Sequence, residues 1–327
     1  MGRIQDNDMM GPRICLAPMA GLTDAPMRAL CAEQGAEMTY TEMVSAKGIS
    51  FGNRKTNEMI PQGEERPVGV QLFGRDPALL ADTAAAVCER LGPGLAEINI
   101  NMGCPAPKIV KNGEGCALMK EPELARRIIS AVRRRVRVPL SVKIRKGFDA
   151  GHENAVEFAE MAEDAGADTV IVHGRTREQF YSGKSDRSVI KAVKEAVGIK
   201  VVGNGDIFCA DDARAMLDET GCDAVMIARG AVGNPFLFAQ VRELLNTGAV
   251  STRPTERQRI DMMLRHARLA VEELGEYPAM RRMRSHTPHY TKGMRGSARL
   301  RNMLVKVERY AQLEQIVEDW YAGWAGL

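Results

Sequence analysis

The sequence predicts an α/β protein: a (β/α)₈ barrel of the TIM type followed by a small all-helical C-terminal domain. Eight short apolar or β-branched runs recur over the first three-quarters of the 327 residues, and amphipathic segments lie between most of them. The last quarter is helical in pattern throughout. Such a barrel takes about 250 residues, which leaves room for an appendage. We expect a barrel over residues 1–246, a linker over 247–254 and a helical domain over 255–327.

The barrel elements follow in order along the chain. Glycine-containing turns, such as Gly-Ala-Asp at 166–168 and Gly-Cys-Asp at 221–223, mark where a helix stops and a strand begins. The second unit is irregular, with only a weak helical pattern over 45–61. The predicted strands cover residues 14–19, 37–41, 68–73, 97–101, 140–144, 169–173, 200–203 and 224–228. The clearest helices between them cover residues 77–90, 122–136, 154–165 and 211–219.

The C-terminal quarter combines helical periodicity with a local excess of positive charge. Helices are predicted over 256–274, 279–290, 297–310 and 313–321. Between residues 281 and 309, nine basic residues face a single acidic one, whereas residues 1–254 are nearly neutral, with 32 basic and 33 acidic residues. Such a concentration often belongs to a solvated helix face, but its size favours a polyanionic partner.

Composition excludes several classes of protein. Hydrophobic residues make up 45% and charged residues 27% of the chain, and no stretch approaches the roughly 18 apolar residues that span a membrane. The start, MGRIQDNDMM, lacks the apolar region of a secretory signal. Seven cysteines without a C-x-x-C pair argue against a disulfide framework and against a zinc or iron–sulfur site. We therefore expect a cytoplasmic protein without a metal.

Polar residues lie near the carboxyl ends of the predicted strands, where burial without a partner costs about 1–3 kcal/mol. Gln71, Asn101, Lys143 and Arg145 alternate with apolar residues, and His173 ends the sixth strand. Because side chains alternate between the two faces of a strand, this polar set points toward the barrel axis. Active sites of such barrels lie at the carboxyl ends of the strands. The pattern therefore predicts an active site at this end.

Two glycine-rich segments follow the last two strands, at 203–206 and 228–235. Turns of this kind expose backbone N–H groups toward an anion. One such site fits a single phosphate monoester, as in FMN or a sugar phosphate. Neither a G-x-G-x-x-G motif nor a P-loop is present, so a dinucleotide fits less well.

Several strings together resemble the bacterial tRNA-dihydrouridine synthase family, in order from about residue 14 to 240. The tail is similar in kind, through Tyr290-Thr291-Lys292-Gly293. Where the family usually has Gly-Arg after strand eight, this chain has Ala228-Arg229. The matching strings are APMAGLTD at 17–24, VQLFG at 70–74, INMGCPAPK at 100–108, VKIR at 142–145, VHGRTR at 172–177, NGD at 204–206 and MIARG at 226–230.

The resemblance implies an FMN-binding catalytic barrel whose flavin is reduced by NADPH or NADH. In the family pattern, Gln71 and Lys143 would contact the polar edge of the flavin, and Gly205 would allow its close approach. The remaining cofactor-binding positions that the resemblance implies are Pro18, Met19, Ala20, His173, Asn204, Asp206, Ala228 and Arg229.

Cys104 lies in a Gly-Cys-Pro loop just past the fourth predicted strand. A free cysteine is most often a small buried hydrophobe. With the resemblance, it is the expected catalytic proton donor. After hydride transfer to C6 of uracil, C5 needs a proton, and a thiol with a pKa near 8.5 can deliver one at neutral pH.

The substrate implied by the resemblance is tRNA, bound by a monomeric enzyme through the barrel mouth and the helical domain. Residues 126–137 contain six arginines, of which four should lie near the opposite end of the barrel as a solvated surface: Arg133, Arg134, Arg135 and Arg137. The expected RNA contacts are Asn101, Arg145, Arg175, Arg177, Arg281, Arg282, Lys292, Arg295, Arg299 and Arg301.

Three alternatives remain open at the level of sequence: an FMN barrel acting on a small molecule, a flavin-free phosphosugar barrel, and an RNA-binding module without catalysis. The first alternative leaves the basic tail without a purpose, and a colourless, cofactor-free protein would favour the second. The third leaves Cys104 and Lys143 without a role. The sequence does not specify which uridine is modified.

Overall fold

The computed structural model describes residues 14–61, 68–251 and 253–322, and within these ranges nine parallel strands form one sheet. The outer ends of the predicted barrel and helical domain (1–13 and 323–327), residues 62–67 and linker residue 252 lie outside the described residues. The strands are β1 (Ile14–Leu16), β2 (Met38–Tyr40), β3 (Val44–Ser45), β4 (Val68–Phe73), β5 (Leu95–Asn101), β6 (Leu140–Gly147), β7 (Thr169–Thr176), β8 (Lys200–Asn204) and β9 (Ala224–Ile227).

The sheet closes on itself. Cys15 of β1 pairs with Met38 of β2 and with Met226 of β9, and Thr39 of β2 pairs with Val68 of β4. From β4 to β9 each strand pairs with the next. Leaving aside the two-residue β3, which pairs only with β4, the eight described strands form a closed parallel ring. The predicted TIM barrel is confirmed.

The helices cover the outside of this ring and begin mostly where the sequence supplies a cap. Asp24, Asp76 and Asp186 each accept the backbone N–H of a residue two or three positions on, which satisfies a group that has no partner within the helix. The barrel helices are α1 (Ala25–Glu33), α2 (Ala46–Ser50), α3 (Arg54–Glu58), α4 (Pro77–Leu91), α5 (Pro107–Lys111), α6 (Pro122–Arg135), α7 (Ala155–Asp164), α8 (Arg187–Ala196), α9 (Ala210–Thr220) and α10 (Leu237–Thr247).

Strands β6 and β7 run three residues further than predicted. Arg145 pairs with His173, and Gly147 pairs with Thr176 after a register shift. Both Arg145 and Arg175 therefore lie within strands and are buried, at 3% and 2% exposure. The polar residues here interrupted the apolar pattern on which the strand ends were predicted.

The C-terminal region contains α11 (Glu256–Leu274), α12 (Glu276–Tyr290), α13 (Ser297–Leu304) and α14 (Tyr310–Ala322). Its apolar cluster includes Leu30, so the region packs on the barrel through α1. The helix predicted over 297–310 is too long. It ends at Leu304. Glu308 and Arg309 belong instead to the turn before α14, where their N–H groups donate to the side-chain oxygen of Gln312.

Candidate active site

A cavity of about 1140 Å³ opens at the carboxyl ends of the barrel strands. Its size suits a cofactor together with part of a substrate. His289 and Lys292 line it from the helical region, so both parts of the chain contribute to it. The residues predicted from the sequence that line it are Pro18, Met19, Ala20, Asn101, Cys104, Lys143, Arg145, His173, Asn204, Gly205, Asp206, Ala228, Arg229 and Lys292.

Cys104 lies in the loop that follows β5 and is held there by backbone contacts. Its N–H donates to Asn101 Oδ1 at 2.9 Å, and its carbonyl accepts the N–H of Cys116 at 3.0 Å. Burial raises the pKa of the Cys104 thiol, although Arg145 and Lys143 lower it in part. The thiol is therefore protonated at neutral pH and can donate a proton to a group in the cavity.

Lys143 of β6 reaches Asn204 Oδ1 with its Nζ, at 3.0 Å. Burial, with the charge of Arg145 beside it, lowers the pKa of Lys143 to about 7. Because an anion nearby would favour the charged ammonium, this side chain suits the binding of an anionic group.

A network of charged side chains surrounds Asp206 in the loop after β8. Arg175 donates to both Asp206 oxygens, at 2.8 and 2.6 Å, and Arg229 donates at 3.1 Å. Although burial alone would raise the pKa of Asp206, these arginines and the Ser185 N–H lower it. Asp206 has a positive φ of 51°, so the network holds it in an unusual backbone conformation.

His173 lies among the positively charged side chains of the cavity. Burial and the charges of Lys143, Arg145 and Arg175 hold the pKa of His173 well below its ordinary value. The imidazole is therefore neutral and can donate or accept a hydrogen bond.

The two glycine-rich segments meet beside this network. A side chain at Gly205 would collide with Ser185 Oγ, and one at Gly230 would collide with the carbonyl of Ile207, so both positions require glycine. Arg229 and Gly230 open a 3₁₀ turn, whose first N–H groups have no partner within the turn. Both residues line the cavity, as a phosphate-binding segment would. Ala228 also lines the cavity.

Gln71 and Arg175 lie deeper than predicted. Gln71 is fully buried and bonds to Asn99 and Asn101 below the cavity. The Arg175 guanidinium also donates to the carbonyls of Ser182 and Gly183, so it supports the Asp206 loop. Its 2% exposure is incompatible with the predicted direct contact with RNA phosphate in this conformation.

The remaining predicted RNA-binding arginines separate into two groups. Arg282 pairs with Asp24 and Glu42 of the barrel, at 3.4 and 3.3 Å, and Arg301 donates to Ser297 at 2.8 Å. Arg177 lies over the Phe148 ring, 5.4 Å from its centroid, and does not line the cavity. The exposed residues of the predicted set are Arg281, Lys292, Arg295 and Arg299.

Sequence reasoning missed the aromatic residues at the mouth. The Arg229 guanidinium lies 4.4 Å from the ring centroid of Tyr181 and 5.4 Å from that of Phe208. These rings are 49% and 51% exposed although they line the cavity. The signal was available, since both follow predicted strand ends in otherwise polar loops.

A buried polar cluster also joins the barrel to the helical region. Asp24, His266 and His286 each offer one atom that could bind a metal ion, and these three atoms lie within 4.8 Å of one another. The Arg282 guanidinium already pairs with Asp24, and the Tyr290 hydroxyl lies 3.0 Å from His266 Nδ1. A metal ion bound here would lie beside the positively charged guanidinium and would be repelled by it. We therefore interpret the cluster as a contact between α1, α11 and α12.

None of the helices in the described ranges is both long enough and apolar enough to cross a membrane. The fold is shared with histamine dehydrogenase from Rhizobium sp. 4-9, with a TM-score of 0.56 and 14% identity. That match covers 85% of this chain and half of the dehydrogenase, so it concerns the fold alone.

Relatives of known name cover nearly the whole chain. It is 39% identical to tRNA-dihydrouridine synthase B of Xanthomonas axonopodis pv. citri, over 95% of this chain and 93% of the relative. It is 40% identical to the Shewanella oneidensis enzyme of the same name, over 85% and 86%. A probable tRNA-dihydrouridine synthase of Treponema pallidum is 36% identical, over 94% and 92%. The family model for dihydrouridine synthase (Dus) matches residues 15–322. The chain therefore belongs to the dihydrouridine synthase family, and the protein is an oxidoreductase.

Proposed function

We propose that this protein is an FMN-dependent tRNA-dihydrouridine synthase, which reduces the C5–C6 double bond of particular uridines in tRNA. One observation carries the proposal furthest. The cavity combines a protonated thiol, Cys104, with a buried positive region formed by Lys143 and Arg145. A thiol supplies the proton that the reaction needs, and the positive region suits an anionic cofactor.

The residues around the cavity fit a flavin mononucleotide. Pro18, Met19 and Ala20 would line the flavin, and Lys143 would stabilise negative charge on its polar edge. The ribityl chain and phosphate would lie against the glycine-rich segments. The side chains that would hold them are those of His173, Asn204, Asp206 and Arg229, which line the cavity. NADPH or NADH would serve as reductant.

The chemistry divides between cofactor and protein. When bound, the reduced flavin would supply a hydride to C6 of uracil, and the C4 carbonyl of the uracil would take up the resulting negative charge. Cys104 then donates its proton to C5, which completes the saturated ring. The backbone bonds to Asn101 and Cys116 hold the thiol in the cavity for this transfer.

The identity of the substrate rests on the relatives and on surface charge. The similar proteins are named as tRNA enzymes. In this chain the exposed side chain of Lys292, in the helical region, lines the cavity mouth. Phosphate contacts from Lys292, Arg295 and Arg299 would position a tRNA whose target base enters the cavity. We propose a monomeric cytoplasmic enzyme that acts without a metal.

Purification under gentle conditions tests the cofactor assignment. We expect a yellow protein that releases one FMN per chain on denaturation, as identified by chromatography. Release of FAD, or a colourless protein that does not take up added FMN, would contradict the proposal.

A further inference from the structure

A continuous line of hydrogen-bonded side chains runs inside the barrel from the Cys104 loop to Glu97. Every side chain in it is at least nine-tenths buried. The bonds are, in order, Cys104 N–H to Asn101 Oδ1 (2.9 Å), Asn101 Nδ2 to Gln71 Oε1 (2.9 Å), Gln71 Nε2 to Asn99 Oδ1 (2.6 Å), Asn99 Nδ2 to Ser141 Oγ (2.6 Å), and Ser141 Oγ to Glu97 Oε1.

Each member of this line donates to the next, and its two ends determine that direction. The backbone N–H groups of Gly103 and Cys104 can only donate, so Asn101 must present its oxygen to them. At the other end, Glu97 Oε1 accepts from Ser141 and from the Tyr40 hydroxyl, the latter at 2.8 Å. Both ends therefore require that hydrogen bonds be donated from Asn101 toward Glu97. This requirement fixes which atom of each side-chain amide is the oxygen and which is the nitrogen.

The line has little freedom to rearrange. Turning any one amide would bring two donors, or two acceptors, face to face where water is excluded. If the acceptor at Glu97 is removed, the Ser141 hydroxyl loses the hydrogen bond that it donates to Glu97. The hydroxyl can then turn back toward Asn99, which disturbs the amides between it and Asn101.

We propose that Glu97 is a positioning residue for Cys104: through this line it holds Asn101 in the orientation that ties down the Cys104 loop. Glu97 lies at the start of β5, whereas Cys104 follows the end of that strand, so Glu97 acts without touching the substrate. The inference rests on the proposed function only for its consequence in catalysis. The position of the loop itself can be measured without any turnover.

The line needs an acceptor at Glu97 rather than a charge. Burial raises the pKa of Glu97 to about 7, while Ser141, Tyr40 and Lys200 favour the ionised form. Oε1 accepts hydrogen bonds in both protonation states when the proton resides on Oε2. A glutamine at this position keeps an equivalent acceptor, whereas leucine removes it.

The structure supplies a matched control. Tyr40→Phe removes the other hydrogen bond to the same Glu97 oxygen. Tyr40 also interacts with Ser141, but the five bonds from Cys104 to Glu97 do not pass through it. Glu97→Leu and Ser141→Ala break the line itself. If Glu97→Leu does not fold, Ser141→Ala tests the same line by itself.

The readout is the rate at which iodoacetamide alkylates Cys104, resolved by peptide mass spectrometry. Cys209, which is exposed, and Cys88, which is half-buried like Cys104, serve as internal references. Freeing the loop exposes the thiol, so we expect Glu97→Leu and Ser141→Ala to raise the relative rate about five-fold, the factor for one net hydrogen bond. Glu97→Gln and Tyr40→Phe should stay within about two-fold of the unaltered protein.

The same variants are then compared in the two half-reactions. With Glu97→Leu, oxidation of the reduced flavin by tRNA should slow, and reduction of the flavin by NADPH should keep its rate. An unchanged Cys104 alkylation rate in both line-breaking variants overturns the inference, and so does an equal rise with Tyr40→Phe. Failure of tRNA to oxidise the flavin in the unaltered protein refutes the proposed function instead, and leaves the alkylation result to decide the positioning role.

Discussion

The surroundings of Cys104 suit its proposed role as an acid, because they keep the thiol protonated and close to positive charge. Burial raises the pKa of the thiol, and Arg145 and Lys143 partly offset that effect. These cations would stabilise the thiolate left after the proton has gone. In the proposed mechanism the residue acts in the step that follows hydride transfer, and we expect cofactor binding not to depend on it.

Replacement of Cys104 by alanine separates these roles. We expect Cys104→Ala to retain FMN and its reduction by NADPH, and to lose dihydrouridine formation about 10²–10⁴-fold. Cys209→Ala is the matched control, since Cys209 lines the same cavity, and it should leave the rate unchanged. A normal rate of tRNA turnover in Cys104→Ala would assign the proton to another group.

Glu97 gives a second test at the residue scale, through the pH dependence of stability. Its pKa is about 7 in the folded protein, against an ordinary value of 4.5. Between these values the unfolded chain loses a proton that the folded protein keeps, so folding stability falls as pH rises. The loss amounts to about 3 kcal/mol across the window.

Urea unfolding at a series of pH values measures this effect. Relative to the unaltered protein, Glu97→Gln should become progressively more stable from about pH 4.5 to about pH 7, and the difference should then level off. Parallel curves for the two proteins would show that the carboxyl group is not buried as described.

At the scale of elements, the barrel was predictable because its apolar strands and amphipathic helices alternate regularly. Strand β4 has the predicted bounds, and α11 has the predicted bounds too. The ends of β6 and β7 were not predictable, since Arg145 and Arg175 look like loop residues until their buried partners are known. The same limitation applies to Arg282, whose carboxylate partners lie more than two hundred residues earlier in the chain.

The exposed basic surface of the helical region carries the prediction for RNA binding. Lys292 lines the cavity mouth, and Arg299 is exposed on α13. Replacing both with alanine should weaken tRNA binding and reduce the slope of its salt dependence by about one for each phosphate that the protein no longer binds. Flavin content should remain unchanged, because the residues proposed to bind the cofactor lie in the barrel.

A double variant with the same loss of charge provides the control. Arg134 and Arg137 are exposed where α6 leads into β6, at the end of the barrel opposite the cavity. Alanine at both positions should leave the affinity for tRNA and its salt slope nearly unaltered. Equal effects from the two pairs would show that only overall charge matters, and no effect from either pair would remove the helical region from RNA binding.

For the whole molecule, the arrangement of barrel and helical region fits the proposal that one cavity serves both a cofactor and a large substrate. The barrel contributes the glycine-rich segments, Lys143 and Cys104, while His289 and Lys292 complete the mouth. A side chain at Gly233 would collide with the backbone of His289 and Tyr290, so the two parts fit closely beside the cavity.

The most direct test of the central claim is to incubate the purified protein with NADPH and unmodified tRNA, and then to digest the RNA and identify its nucleosides by mass spectrometry. We expect dihydrouridine, a uridine that has gained two hydrogens, at discrete positions of the tRNA and none from free uridine under the same conditions. Protein that contains FMN and oxidises NADPH, yet forms no dihydrouridine in tRNA or reduces free uridine equally well, would contradict the account.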